Sequence, residues 1–120
     1  MKLWIDDLRP APKGYVWCYS VNEAIRVITQ AEDVIQKMKT DVKKREFYSS
    51  IMLVDSLDIE LIDIDHDAGD FACDGGDYIR LLDWLEETGR NYPIRIHLQN
   101  PVGVQNMRAI IERNGWKEIK

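Results

Sequence analysis

Acidic residues and both histidines of the chain follow short apolar runs, at the points where strands would end. These residues are Asp6, Asp7, Asp65, His66 and His97. Aspartates brought close together repel one another, and a bound cation offsets that cost. Oxygen ligands suit Mg²⁺ or Mn²⁺, and imidazole exchanges protons near neutral pH. The pattern predicts a metal site made by Asp6, Asp7 and Asp65, with proton-transfer groups beside it.

A helix start follows His97 closely. Asn100 has the side chain of an N-cap and Pro101 suits the first helical position. The free backbone N–H groups and the positive dipole end of such a helix attract anions, and Gly103 would let a ligand approach closely. An ordinary capped helix explains the same residues. Their place directly after His97 favours a phosphate site.

The elements that would position these residues alternate between strand and helix. The predicted strands are Lys2–Asp7, Tyr15–Tyr19, Ile59–Asp65, Ile94–Leu98 and a short one at Trp116–Ile119. Residues 51–58 stay ambiguous between a strand and a helical turn. This alternation predicts a mostly parallel sheet with helices on both faces. In such sheets ligands bind outside the carboxyl ends of the strands, where the acids and histidines fall.

Capping residues mark where the helices begin and end. Ser20 and Glu23 form a predicted capping box before an apolar stripe that reaches Met38. Asp77 is predicted as the N-cap of the helix that begins at Tyr78. The glycines Gly89 and Gly115 end the last two helices. For Asp63, the simple alternative to a role in the site is a side chain that points off an edge strand.

Composition limits the cellular setting and the partners. The length of 120 residues predicts one domain over residues 1–120. The chain carries a net charge of -5. That charge opposes long duplex nucleic acid but not one phosphate at a metal. The sequence has neither a membrane-length apolar run nor a signal-peptide pattern, so a cytoplasmic protein with no membrane partner is expected. Cys18 and Cys73 are expected to be reduced thiols, with Cys18 in the core.

The pairing of Asp6-Asp7 with Asp65 resembles the receiver domains of two-component signalling. The resemblance implies that these acids hold Mg²⁺, that Asp65 accepts a phosphoryl group, and that Asp67 lies near a backbone metal ligand. Two features depart from receivers. The chain has no Lys-Pro pair after its last strand, and it ends at Lys120 without room for the final helix.

A divergent branch, the cyclic-phosphate processing receiver-like domains, resembles the chain more closely. Its pattern matches KLWIDDLRP at residues 2–10, DHDAGD at residues 65–70 and HLQNPVG at residues 97–103, although Gln99 stands where a small residue is expected. The resemblance implies an α/β receiver-like (flavodoxin-like) fold that lacks the last helix. It also implies processing of a cyclic phosphate on a nucleotide or an RNA end.

The leading hypothesis is therefore a metal-dependent phosphoesterase that hydrolyses such a cyclic phosphate. The expected metal ligands are Asp6, Asp7, Asp65 and Asp67. The expected catalytic residues are His66, His97 and Asp65. The expected substrate-binding residues are Arg9, Asn100 and Gly103. Three points stay open: whether water or Asp65 is the nucleophile, which histidine is acid or base, and the oligomeric state. The alternatives are a non-enzymatic binding module for a phosphorylated or cyclic nucleotide and a divergent signalling receiver with Asp65 as phosphoacceptor.

Overall fold

The computed structural model describes residues 1–40, 56–97 and 101–120, which alternate between strand and helix. The strands are β1 (Lys2–Ile5), β2 (Tyr15–Cys18), β3 (Leu61–Ile64) and β4 (Ile94–Ile96). The helices are α1 (Val21–Thr40), a 3₁₀ helix (Gly69–Cys73), α2 (Ile79–Glu87) and α3 (Pro101–Asn114). The ambiguous segment at residues 51–58 lies mostly outside the described residues.

The four strands form one parallel sheet in the order β2-β1-β3-β4. Ile5 of β1 pairs with Cys18 on one side and with Ile64 on the other. The predicted parallel sheet and receiver-like α/β fold are confirmed. The short strand predicted near the C-terminus is reduced to a single parallel bridge between Glu118 and Ile94.

The described helices cover one face of the sheet. The connections from β2 to β3 and from β3 to β4 cross the sheet in the same direction, so right-handed crossovers place α1 and α2 on the same side. Helix α2 contacts both α1 and α3. Leu3, Ile5 and Ile62 are buried beneath them, whereas Trp4 and Tyr15 alternate onto the opposite face and stay partly exposed. Among the described residues, the helices predicted for both faces are thus seen on one.

The capping box of α1 is confirmed, except that Glu23 binds the N–H of Tyr19, the residue before Ser20. The Ser20 Oγ accepts a hydrogen bond from the Glu23 N–H at 3.1 Å, and the Glu23 carboxylate accepts one from the Tyr19 N–H at 3.2 Å. The predicted cap of α2 is wrong. Tyr78 is the N-cap without a side-chain bond, because the Asp77 carboxylate turns back to the Ala68 N–H at 3.4 Å and so serves the preceding loop.

Both cysteines are free, as expected: Cys18 is buried and Cys73 is exposed. Burial raises the pKa of the Cys18 thiol to about 12, so it stays protonated at neutral pH. Among the described helices, none combines the length and the apolar character that a bilayer crossing demands.

A partly buried ion pair joins α1 to the loop after α2, and its removal has a predictable effect on stability. The Arg90 guanidinium donates to the Glu32 carboxylate at 2.8 to 3.1 Å, and the Tyr92 hydroxyl donates to the same carboxylate. Burial alone would raise the pKa of Glu32, but these donors lower it below its ordinary value of 4.5. We expect Glu32→Gln to lower the free energy of unfolding at pH 7 by about 1–3 kcal/mol.

The pH dependence follows from the direction of that shift. A lowered pKa in the fold means that the stabilisation is complete above pH 4.5 and is lost as the pH falls through the folded-state pKa. Urea unfolding measures the difference in unfolding free energy between wild type and Glu32→Gln. This difference should be smaller at acid pH than at pH 7. Glu87→Gln, at an exposed position of α2, is the matched control and should change little. A deficit that is constant with pH would contradict the ionic origin.

Candidate functional site

Two aspartates and a histidine converge where three adjacent strands end. Asp6 follows β1, Asp65 follows β3 and His97 follows β4, and one ligand atom from each lies within 4.8 Å of the others. Asp6 is 0% and Asp65 is 6% exposed, so both carboxylates are withdrawn from water. This Asp-Asp-His cluster could bind a metal ion. The convergence expected at the strand ends is present for these three residues.

Asp6 is held in its ionised form. Its Oδ1 accepts the backbone N–H groups of Leu8 and Arg9, each at 2.9 Å, and its Oδ2 lies 2.9 Å from His97 Nε2. Burial acts to raise the pKa of Asp6, but the two N–H groups and His97 outweigh it and lower the pKa. The turn at residues 7–9 therefore forms around this carboxylate, which explains why the strand ends in an acid.

Asp63 is a site residue that the sequence did not reveal. It lies in β3, between β1 and β4, and is buried, so the alternative of an edge position is wrong. Its Oδ1 lies 2.6 Å from His97 Nδ1. Among the described residues its Oδ2 has no hydrogen-bond partner, and Arg95 Nη1 stands 3.8 Å from it. The polar contact of Asp63 is thus with the His97 ring.

The His97 ring is fixed on three sides. Asp63 faces one nitrogen and Asp6 the other, and the Trp4 indole stacks on the ring at 3.8 Å between centroids and 4° between planes. Both nitrogens can donate only if the ring is protonated. Burial acts to lower the pKa of His97, but the two carboxylates outweigh it and raise the pKa. The raised pKa favours the protonated ring, which is held between the carboxylates of Asp63 and Asp6.

The pKa of Asp65 is raised, whereas that of Asp6 is lowered. Its Oδ1 accepts the His66 N–H at 2.7 Å, and its Oδ2 faces Arg9 Nη1 at 3.8 Å, beyond hydrogen-bond distance. Burial raises the pKa of Asp65; the His66 N–H opposes this, and the charge of Asp6 adds to it. A cation placed between Asp6 and Asp65 would remove that repulsion, which is the property expected of a metal site.

Asp7 and Asp67 lie beside the cluster but outside the converging group. The Asp67 carboxylate accepts the Gly69 N–H at 3.0 Å. A Cβ at Gly69 would stand 2.5 Å from Asp7 Oδ2, and the φ of +54° also favours glycine. Burial, then the charges of Asp6 and Asp67, raise the pKa of Asp7, although a backbone N–H opposes them. Their predicted role as metal ligands stays a prediction.

His66 packs against the first turn of α3. A Cβ at the buried Gly103 would stand 2.4 Å from His66 Cδ2, so only glycine leaves room for the ring. His66 is thereby set beside the start of α3, a contact that the sequence did not predict. Asn100, the predicted cap and substrate ligand, lies outside the described residues, and the helix begins at Pro101.

This contact predicts the behaviour of Gly103→Ala. Alanine favours a helix by about 1 kcal/mol over glycine. Any destabilising effect of this substitution must therefore come from the clash with His66. We expect the His66 ring to swing away, with changed imidazole NMR shifts and a stability change within about 1 kcal/mol. Gln105→Ala, exposed on the same helix, should leave those shifts unaltered. Unchanged His66 shifts in Gly103→Ala would contradict the packing.

Comparison with known proteins gives one family. A model described as "Cyclic-phosphate processing Receiver domain" matches residues 1–43 and 36–113. These matches span the strand-end acids, both histidines and most of the sheet. No curated protein and no solved structure matches the chain.

Proposed function

Because the chain belongs to the cyclic-phosphate processing receiver domain family, we propose that it hydrolyses a cyclic phosphate of a nucleotide or an RNA end with the help of a divalent metal. The observation that carries this proposal is the cluster of Asp6, Asp65 and His97 at the strand ends. It combines a place for a cation with an imidazole, and each of these can assist the opening of a phosphodiester ring.

The oxygen ligands favour Mg²⁺ or Mn²⁺. Asp6 and Asp65 would hold the ion, with Asp7 and Asp67 as the additional acids beside them. When bound, the ion polarises the phosphoryl oxygens and neutralises the charge that develops on them. The raised pKa of Asp65 is consistent with this assignment: burial is its main cause and the charge of Asp6 adds to it, and a cation between the two carboxylates would stabilise their ionised forms.

His97 is the proposed general acid. Its Nε2 proton, shared with Asp6 at 2.9 Å, is the one available to the leaving oxygen. Asp63 acts as a positioning residue: at 2.6 Å from Nδ1 it sets the ring orientation and compensates its charge. A metal-ligating histidine commonly has such a carboxylate behind it too, so the same geometry suits His97 as a ligand. Hard ions prefer oxygen, which favours the acid role.

His66 is the proposed general base that activates the attacking water. Imidazole suits this work near neutral pH, and Gly103 sets the ring beside the start of α3. Arg9, Asn100 and the N–H groups of that helix start would bind the remaining phosphate oxygens. Arg9 already lies 3.8 Å from Asp65, so its guanidinium is at the edge of the cluster.

The proposal is tested by a screen of 2′,3′- and 3′,5′-cyclic nucleotides with Mg²⁺ or Mn²⁺, followed by separation of the products and by intact mass of the protein. Hydrolysis by water gives a ring-opened monoester and unmodified protein. A phosphoryl group retained on the protein would instead indicate a receiver with Asp65 as acceptor. Binding without turnover of any substrate would indicate a binding module.

A further inference from the structure

Three aromatic side chains form a row beside the strand-end cluster. The rings of Trp17 and Tyr19 stack at 4.6 Å with an interplanar angle of 26°, and those of Tyr19 and Phe71 lie 5.5 Å apart at 35°. Trp17 and Tyr19 are half-buried, and Phe71, at the outer end, is 39% exposed. The row therefore offers aromatic surface to a ligand.

The row is linked to Asp6 at one end and to the neighbouring Asp7 at the other. Trp17 Nε1 donates to the Asp6 carbonyl oxygen at 2.8 Å. At the other end, Phe71 belongs to the 3₁₀ helix whose first residue, Gly69, is packed against the Asp7 carboxylate. A molecule whose phosphate occupied the cluster would have this aromatic surface as its neighbour.

The loop that carries Phe71 is anchored on α1 and its cap. The Asp74 carboxylate accepts the Ser20 hydroxyl at 2.6 Å and the Asn22 side-chain amide at 3.1 Å. Tyr19 is held from behind, because the Tyr78 hydroxyl donates to its carbonyl oxygen at 2.7 Å. The aromatic surface is thus set in place before a ligand arrives, which lowers the entropy cost of binding.

We propose that Tyr19 and Phe71 form a stacking subsite for the nucleobase of the substrate. This inference rests on the proposed function and deepens it, because it assigns the residues that would bind the base and so distinguish a nucleotide from a cyclic phosphate of a simple polyol. Stacking on aromatic rings accepts any base, since every base has a π face. The subsite therefore selects for the presence of a base more than for its identity.

A base fits this surface better than a protein partner does. Specific protein interfaces bury about 800 Å² on each partner, far more than two partly exposed rings present. A neutral base also avoids the repulsion that the neighbouring aspartates exert on a second anionic group. The size and the surroundings of the row both favour a single planar ring.

The test measures binding separately from turnover. The probes are a nucleoside 3′-monophosphate and glycerol 2-phosphate, titrated by calorimetry into wild type, Phe71→Leu and Phe71→Trp, all with Mg²⁺ present. Leucine keeps apolar volume but removes the π face, so we expect Phe71→Leu to weaken nucleotide binding by at least about fivefold with no change for glycerol 2-phosphate. Phe71→Trp keeps an aromatic face and should retain or tighten nucleotide binding. Val16→Ala, at a site on β2 that is also 39% exposed, is the control.

The two proposals fail in different ways. Equal nucleotide affinity in wild type and Phe71→Leu, or equal losses for both probes, would overturn the stacking subsite. Turnover of a 2′,3′-cyclic nucleotide and of glycerol 1,2-cyclic phosphate at the same rate would also count against it, while leaving the hydrolysis intact. A protein that opens neither ring but loses nucleotide affinity in Phe71→Leu would support the subsite and refute the reaction.

Discussion

His97→Gln is expected to lower turnover of the cyclic phosphate by roughly 10²–10⁴-fold, the range of a positioned proton donor. The reason is the geometry around the ring, in which Asp63 and Asp6 face both nitrogens and favour the protonated imidazole by raising its pKa. Glutamine can accept or donate a hydrogen bond there but cannot deliver a proton. Steady-state kinetics should show the loss in kcat, with KM changed far less.

Stability must be separated from chemistry in this variant. Removing the imidazole leaves the buried Asp63 without its partner, which costs about 3–5 kcal/mol for a broken buried pair. The double variant His97→Gln with Asp63→Asn removes both charges, so its melting temperature should recover most of the loss while turnover stays low. Recovery of turnover together with stability would mean that His97 is a structural residue.

The metal response decides between the two roles of His97. If it is the general acid, His97→Gln should retain the rise in melting temperature that Mg²⁺ gives the wild type. Loss of that rise would make His97 a metal ligand, with Asp63 as the carboxylate that orients it.

Asp65→Asn is expected to abolish the metal response and to reduce turnover on the order of 10²–10³-fold, because a metal contributes several kcal/mol to the transition state. For wild type, an ion at 100 times its Kd adds about 2.7 kcal/mol, or roughly 10 °C in melting temperature for a domain of this size. Differential scanning fluorimetry with Mg²⁺ or Mn²⁺ measures this directly.

Without metal, the same variant should be as stable as the wild type or more stable at pH 7. Since the pKa of Asp65 is raised in the fold, its ionised form costs stability above that pKa, and asparagine removes the cost while keeping the oxygen that accepts the His66 N–H. Asp70→Asn changes the same charge at an exposed position of the neighbouring loop and should keep the full metal response. An equal response in Asp65→Asn would remove Asp65 from the site.

The sequence was informative wherever one local pattern determines the structure. Apolar runs located β1, β3 and β4, and the acid or histidine after each run located the site at their carboxyl ends. Ser20 and Glu23 located the start of α1, because a capping box involves only neighbouring residues. The meeting of Asp6, Asp65 and His97 then followed from the parallel arrangement of the strands.

The remaining features depend on contacts between distant segments. Asp63 reads as an outward acid, and only the position of β3 between β1 and β4 buries it against His97. One observation hinted at this: the polar residues of β4 alternate, so His97 shares a face with Arg95, the register partner of Asp63. Asp77 looked like a helix cap, but the Ala68 N–H competes for its carboxylate. Such competition is invisible without the fold.

The central claim, a metal-dependent opening of a cyclic phosphate at this cluster, is tested most directly by phosphorus NMR of a 2′,3′-cyclic nucleotide incubated with the wild-type protein. With Mg²⁺ or Mn²⁺, the cyclic diester resonance should convert to that of a monoester, and excess EDTA or Asp65→Asn should prevent the conversion. A cyclic diester that persists unchanged with every nucleotide and either metal would contradict the proposed reaction.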